Sequence, residues 1–95
     1  MNKIELFNNN KIEVFDPKTV SYDPVELLIV RETKEMKVIL DFKKKECYLA
    51  LKEEDMSIQI PVILMTAEIA LNTAKFTYVL ASEPEVTKTI MITEK

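Results

Sequence analysis

The sequence predicts an all-β fold, a small two-layer β-sandwich or partly closed barrel of about eight short strands. Three observations predict it. β-Branched residues dominate, with ten Ile, eight Val and eight Thr, and such side chains suit a pleated, half-buried surface better than a helix. They recur in alternating runs of period two. The breaks between runs are brief and charged or marked by proline, too short for the crossover helices of a parallel sheet. With 95 residues there is room for one core, so the chain reads as a single domain spanning 1–95.

The first element is "KIELFNNNKIEVF", nearly one pentapeptide written twice around three asparagines. It predicts a β-hairpin over 3–15. A three-residue loop, Asn8–Asn10, sets Leu6 opposite Ile12 and Ile4 opposite Val14, so these four share one face while Phe7 and Phe15 take the other. The chain has no glycine, and Asn tolerates the left-handed conformation such a loop needs. This register opposes Glu5 to Glu13, a like-charge pair that disfavours it by up to ~1 kcal/mol. Lys3 and Lys11 on the same face offset that cost. A hairpin with apolar groups on both faces wants cover on both. Ile4, Leu6, Phe7, Ile12, Val14 and Phe15 are therefore the candidate interface residues, the hairpin serving as an interaction arm.

"FDPKTVSYDP" reads as a connection, with Asp16-Pro17 and Asp23-Pro24 as turn markers. "VELLIVRE" is apolar on both faces and reads as a central strand. A turn at Thr33-Lys34-Glu35 pairs it with "MKVILDF", aligning Val30 with Val38 and Leu28 with Leu40. "CYLAL" follows the break at Lys43–Glu46. "MSIQIPVILM" alternates cleanly, but Pro61 cannot donate to a ladder, so this strand is an edge or bends there. Two spacings compete over Thr66–Ala74. Ala67, Ala70, Leu71 and Ala74 fit a short helix capped by Thr66, whereas Ala67, Ile69 and Leu71 fit a strand. The helix near 66–74 is the preferred reading. "KFTYVLA" and "VTKTIMIT" are strong strands around the turn "SEPE", and the last, Val86–Thr93, offers a second edge for strand addition.

Composition narrows the chemistry. Without histidine there is no Ser-His or Cys-His pair and no imidazole metal ligand. Without glycine there is no phosphate-cradling loop and no dinucleotide fingerprint. None of Ser21, Ser57 and Ser82 sits in a nucleophile-elbow pattern. Two carboxylates can hydrolyse a glycoside, but no acid pair stands out. Cys47 lies in a strand pattern and reads as a buried, inert thiol. Glu53-Glu54-Asp55 neither alternates nor has the glycine of a calcium loop and reads as a solvated turn. The run Lys43–Lys45 reads as a soluble turn, and aromatic content is too thin for a base-stacking platform. A net charge of −3 supplies no field for a phosphate backbone. The apolar run Ile60–Met65 falls far short of the ~20 residues of a membrane helix, and "MNKIELFNNN" has no apolar run long enough for a signal peptide, so none is expected.

No enzyme, cofactor, metal, nucleic acid, membrane or small-molecule substrate is expected. The expected role is a structural or interaction subunit that docks onto copies of itself or a larger structural protein. The Lys/Asn/Ile/Glu-rich vocabulary points to an AT-rich genome and a bacteriophage virion protein, a capsid decoration, auxiliary or tail-associated component. Virion or cytoplasm is the expected location. The alternative is a small acidic inhibitor that blocks a host enzyme through a face formed by Glu26, Glu32, Glu35, Glu53, Glu54 and Asp55. The distribution of lysines in space discriminates between them.

Overall fold

The computed structural model describes residues 2–94. Ten strands form two antiparallel sheets packed as a sandwich, with no closed barrel. The strands are β1 (Asn2–Asn8), β2 (Lys11–Phe15), β3 (Val20–Asp23), β4 (Leu28–Glu32), β5 (Met36–Asp41), β6 (Glu46–Leu51), β7 (Met56–Ile60), β8 (Val62–Ile69), β9 (Thr73–Leu80) and β10 (Lys88–Glu94). One sheet has the order β2-β1-β10-β9-β8, and the other is the meander β3-β4-β5-β6-β7. Two strands exceed the sequence expectation. β3 lies inside the expected connection, where Val20 and Tyr22 alternate between the two Asp-Pro markers. The expected single strand "MSIQIPVILM" divides at Pro61 into β7 in one sheet and β8 in the other.

The chain changes sheets twice, each time between successive edge strands. From β2 to β3 it crosses through a single 3-10 turn, Pro17–Thr19, capped by the Asp16 carboxylate accepting from the Lys18 N–H. From β7 to β8 it crosses at Pro61, whose carbonyl accepts from the Ala81 N–H. The sandwich thus has two long sides, β2–β3 and β7–β8, each built from contiguous chain.

The hairpin register differs from expectation by one residue. The connection is two residues long, with Asn9 at φ 54°, so Phe7 opposes Ile12, Leu6 opposes Glu13 and Ile4 opposes Phe15. A one-residue slip exchanges faces. Ile4, Leu6, Glu13 and Phe15 point inward, and Glu5, Phe7, Ile12 and Val14 outward. Two forces favour this arrangement. It buries the Phe15 ring instead of Val14, and it dissolves the Glu5/Glu13 opposition. The β4–β5 register shifts for the same reason. A two-residue turn at Lys34-Glu35 pairs Val30 with Ile39 and Ile29 with Leu40, which turns Ile29 and Leu40 together into the core.

Two further expectations are corrected. There is no helix near 66–74. β8 continues to Ile69, turns through Leu71-Asn72 with the Ala70 N–H donating to the Thr73 carbonyl, and returns as β9. Pairing of Ala67 with Phe76 and Glu68 with Lys75 overrides local helical spacing. The last strand is not an edge, because β10 is central, flanked by β1 and β9.

The core is apolar throughout. Among the described residues no polar or charged side chain other than the Tyr78 phenol is buried. One inward row crosses one sheet as Leu6, Ile90, Phe76 and Ala67. A facing row crosses the other as Tyr22, Ile29, Leu40, Cys47 and Ile60. Phe76, completely buried, is met by Tyr22 edge-on at 5.4 Å and by Phe42 at 4.9 Å. With no glycine available, positive φ also falls on Leu27, Lys45 and Asp55. The expectation that Asn would take the left-handed conformation of the hairpin loop holds at Asn9.

Candidate functional site

The two sides of the sandwich differ in charge. Along β2–β3, from Lys11 to Asp23, five charged residues interrupt the chain: Lys11, Glu13, Asp16, Lys18 and Asp23. Along β7–β8 the twelve residues Met56–Ala67 carry none. Met56, Ile58, Ile63 and Leu64 are all exposed on that second side, and Ile63 retains 60% of its surface. The reason is geometric. Ile58 and Met56 continue inward rows of their sheet, opposite Leu49 and Leu51, but the facing sheet does not reach over them. On β8 the register breaks between Val62 and Leu64, a bulge that turns Ile63 and Leu64 out and returns Met65 to the core. Both strands present an unpaired backbone edge, since β7 bonds only to β6 and β8 only to β9.

The six residues expected to form an interface are divided. Ile4 and Phe15 are buried in the core, and Leu6 packs against it. Phe7 is half-buried on the outer face. Ile12 and Val14 are exposed beside it, at 62% and 64%. The hairpin is built into its sheet through seven β1–β10 pairs, which leaves its outer face and the free edge of β2 open to a partner. The expectation that the strand through Pro61 is an edge or bends there holds on both counts, since the chain bends at Pro61 and both halves are edges. What the sequence reading did not single out is the uncharged run Met56–Ala67 as a contact surface.

At the β2 side the sheets are bridged. Arg31, inward on β4, lies 4.0 Å from the centre of the Phe15 ring and 3.4 Å from the Glu13 carboxylate. Beside this bridge a cleft of about 300 Å³ opens between the sheets. Its body is apolar, formed by Ile29, Leu40, Leu49, Ile60 and Ile90, and Arg31 and Lys88 line it as well. The Cys47 thiol, which also lines it, is pushed up by burial and pulled partly back by Lys88. Burial likewise pushes the Tyr78 phenol up to about 12; Cys47 and Glu83 add to this and Arg31 opposes it. Neither group is poised to react near neutral pH.

The acidic residues do not form one face. Glu35, Glu53 and Glu54 border one depression. Glu26 lies in the turn at the opposite end of its sheet, 3.7 Å from Lys43, and Glu32 is 3.1 Å from Lys52. Among the described residues no group of three or more His, Cys, Asp or Glu could hold a metal ion. No helix among them is long and apolar enough to cross a membrane. Comparison with protein-family models, curated proteins and solved structures returns no match.

Proposed function

We propose that this protein is a non-enzymatic interaction subunit that docks into a larger assembly through its β7–β8 edge. The observation that carries the reading is the run Met56–Ala67, uncharged along two free strand edges and exposing four large apolar side chains. Monomeric β proteins blunt their edges with charge, especially lysine, or cover them. An edge left bare supplies backbone donors and acceptors to an added strand, and alternating side chains then provide specificity. Pro61 interrupts the edge and limits pairing to two short segments. The outer face of the hairpin, with Phe7, Ile12 and Val14, is a second and smaller contact. The assembly we favour is a bacteriophage particle, on residue vocabulary alone. Interleaved charges at Glu26–Lys43 and Glu32–Lys52 support docking over a nucleic-acid-mimicking inhibitor, which needs a one-sided acidic face.

The test is light scattering across a concentration series, together with retention of a partner protein on immobilised protein, for the wild type and Ile63→Lys. The wild type is expected to gain mass or retain a discrete partner, and Ile63→Lys to lose that interaction. Its unfolding free energy should stay within ~0.5 kcal/mol of wild type, as for an exposed site. A wild type that stays monomeric and retains nothing sinks the reading. So does an interaction that survives Ile63→Lys and Leu64→Lys combined.

A further inference from the structure

The cleft between the sheets has a chemistry that docking does not use. Its body is apolar, yet two cations occupy inward positions in it. Arg31 stands in the row Val20–Arg31–Val38 of one sheet, and Lys88 in the row Asn8–Lys88–Tyr78 of the other. The Lys88 side chain is only 16% exposed, that of Arg31 39%. A lysine or arginine at a rim ordinarily sends its charge out to water. Here each lies against a ring instead, Arg31 over Phe15 at 4.0 Å and Lys88 at 6.0 Å from the centre of Tyr78.

Both cations have donors to spare. A guanidinium carries five N–H groups, and Arg31 spends one on Glu13 at 3.4 Å. Its Nε is buried without any partner. The donors left for a ligand are therefore those of the terminal guanidinium nitrogens, since Nε itself is closed off from the cleft. Lys88 touches Glu83 at 3.3 Å. Both acids are about half exposed, 58% and 48%, so an incoming anion exchanges for weak, solvent-screened pairs. Both cations line the same cleft, together with Cys47 and Tyr78.

We propose that the cleft binds a small amphiphile, an aliphatic carboxylate whose chain fills the apolar body and whose head accepts hydrogen bonds from Arg31 and Lys88. The volume of about 300 Å³ sits at the small end of ligand pockets and holds about ten water-sized groups at ~30 Å³ each. That selects a medium-length chain. The charge of the head is the discriminating feature, because a neutral hydroxyl can accept hydrogen bonds but makes no charge-assisted ones to the two cations. The cleft shares Ile60 with the docking edge on β7–β8, but the inference rests on Arg31 of β4 and Lys88 of β10 and not on the docking reading.

The experiment follows the isoleucine and leucine methyl resonances of the full chain while decanoate, decanol or decyltrimethylammonium is added below micellar concentrations. Decanoate is expected to shift Ile29, Leu40 and Ile90 saturably. Decanol should bind about tenfold more weakly, the factor for one charge-assisted hydrogen bond, and the ammonium more weakly still. Arg31→Gln should weaken decanoate by about tenfold and leave decanol unchanged. Lys88→Gln should do the same if Arg31→Gln fails to fold. Equal affinity for decanoate and decanol overturns the proposal. So do shifts confined to Ile58, Ile63 and Leu64 at the exposed edge, or no saturable shift up to millimolar ligand.

Discussion

The two sides of this sandwich perform one topological task with opposite surfaces. Each carries the chain from one sheet to the other between successive edge strands. The β2–β3 side is anchored from within, with Phe15 buried, Arg31 stacked on it and Glu13 reaching across to Arg31. Its charges protect it from strand addition. The β7–β8 side turns on a proline, has no charge over twelve residues, and leaves Ile58 and Ile63 uncovered. The difference shows that closing a core and protecting an edge are separate requirements. The first side meets both. The second meets only the first and stays open to a partner.

Removing the anchor breaks the comparison most severely. Phe15→Ala should destabilise the protein by about 3–5 kcal/mol, the range for a buried phenylalanine, read as a fall in the urea midpoint. Against a total stability of ~5–15 kcal/mol, the variant approaches unfolding. If Phe15→Ala is nearly silent, the ring is not an anchor and the β2–β3 side resembles its counterpart. Ile63→Ala, at a site 60% exposed, should by contrast fall within ~0.5 kcal/mol of wild type.

Alkaline pH probes the core shared by both sides. The Tyr78 phenol is raised from its ordinary value of 10.0 to about 12, because burial favours its neutral form. Its contribution is therefore complete below about pH 10 and is lost as pH rises through 12. The loss amounts to on the order of 3 kcal/mol, at ~1.4 kcal/mol for each tenfold change in protonation. Tyr78→Phe should flatten the decline of the urea midpoint between pH 9 and 11.5. An unchanged slope would assign that decline to other groups.

The smallest effect belongs to the Arg31–Glu13 bridge. Both side chains are substantially exposed, at 39% and 58%, so Glu13→Gln should cost only ~0.2–1 kcal/mol and less at high salt. A salt-independent loss of several kcal/mol would mean that the bridge, and not Phe15, holds this side together.

How much of this was legible depends on the range of the forces involved. Alternation and β-branching are local, so the all-β class and the buried Cys47 follow from the residues themselves, whereas the choice between a two-layer sandwich and a partly closed barrel was made only by the sheet topology. Registers were less legible. At Asn9-Asn10 and at Lys34-Glu35 a three-residue loop competes with a two-residue one, and local sequence separates them poorly. The gain from burying Phe15, or from turning Ile29 and Leu40 together, appears only when the opposite sheet is in place. The six-residue interface expectation inherited this slip, which is why Ile4 and Phe15 lie in the core while Ile12 and Val14 face outward. The Thr66–Ala74 segment gave a helical spacing that pairing with β9 overrode.

The sequence by itself determined what this chain is built from and which residue types it lacks. Its alternation demands strands, Pro61 forbids one continuous ladder, and the missing histidine and glycine remove whole classes of site. Pro61 marked its strand as an edge or a bend, but only the tertiary structure decided that both halves became edges, one in each sheet, and that the last strand did not. β10, at the end of the chain, is central, while β7 and β8, in its interior, are free. Edge status depends on which segments meet across the sheet, a non-local outcome of burying the most apolar surface. The run Met56–Ala67 was always uncharged, but it became a surface only once the sheets had closed without covering it.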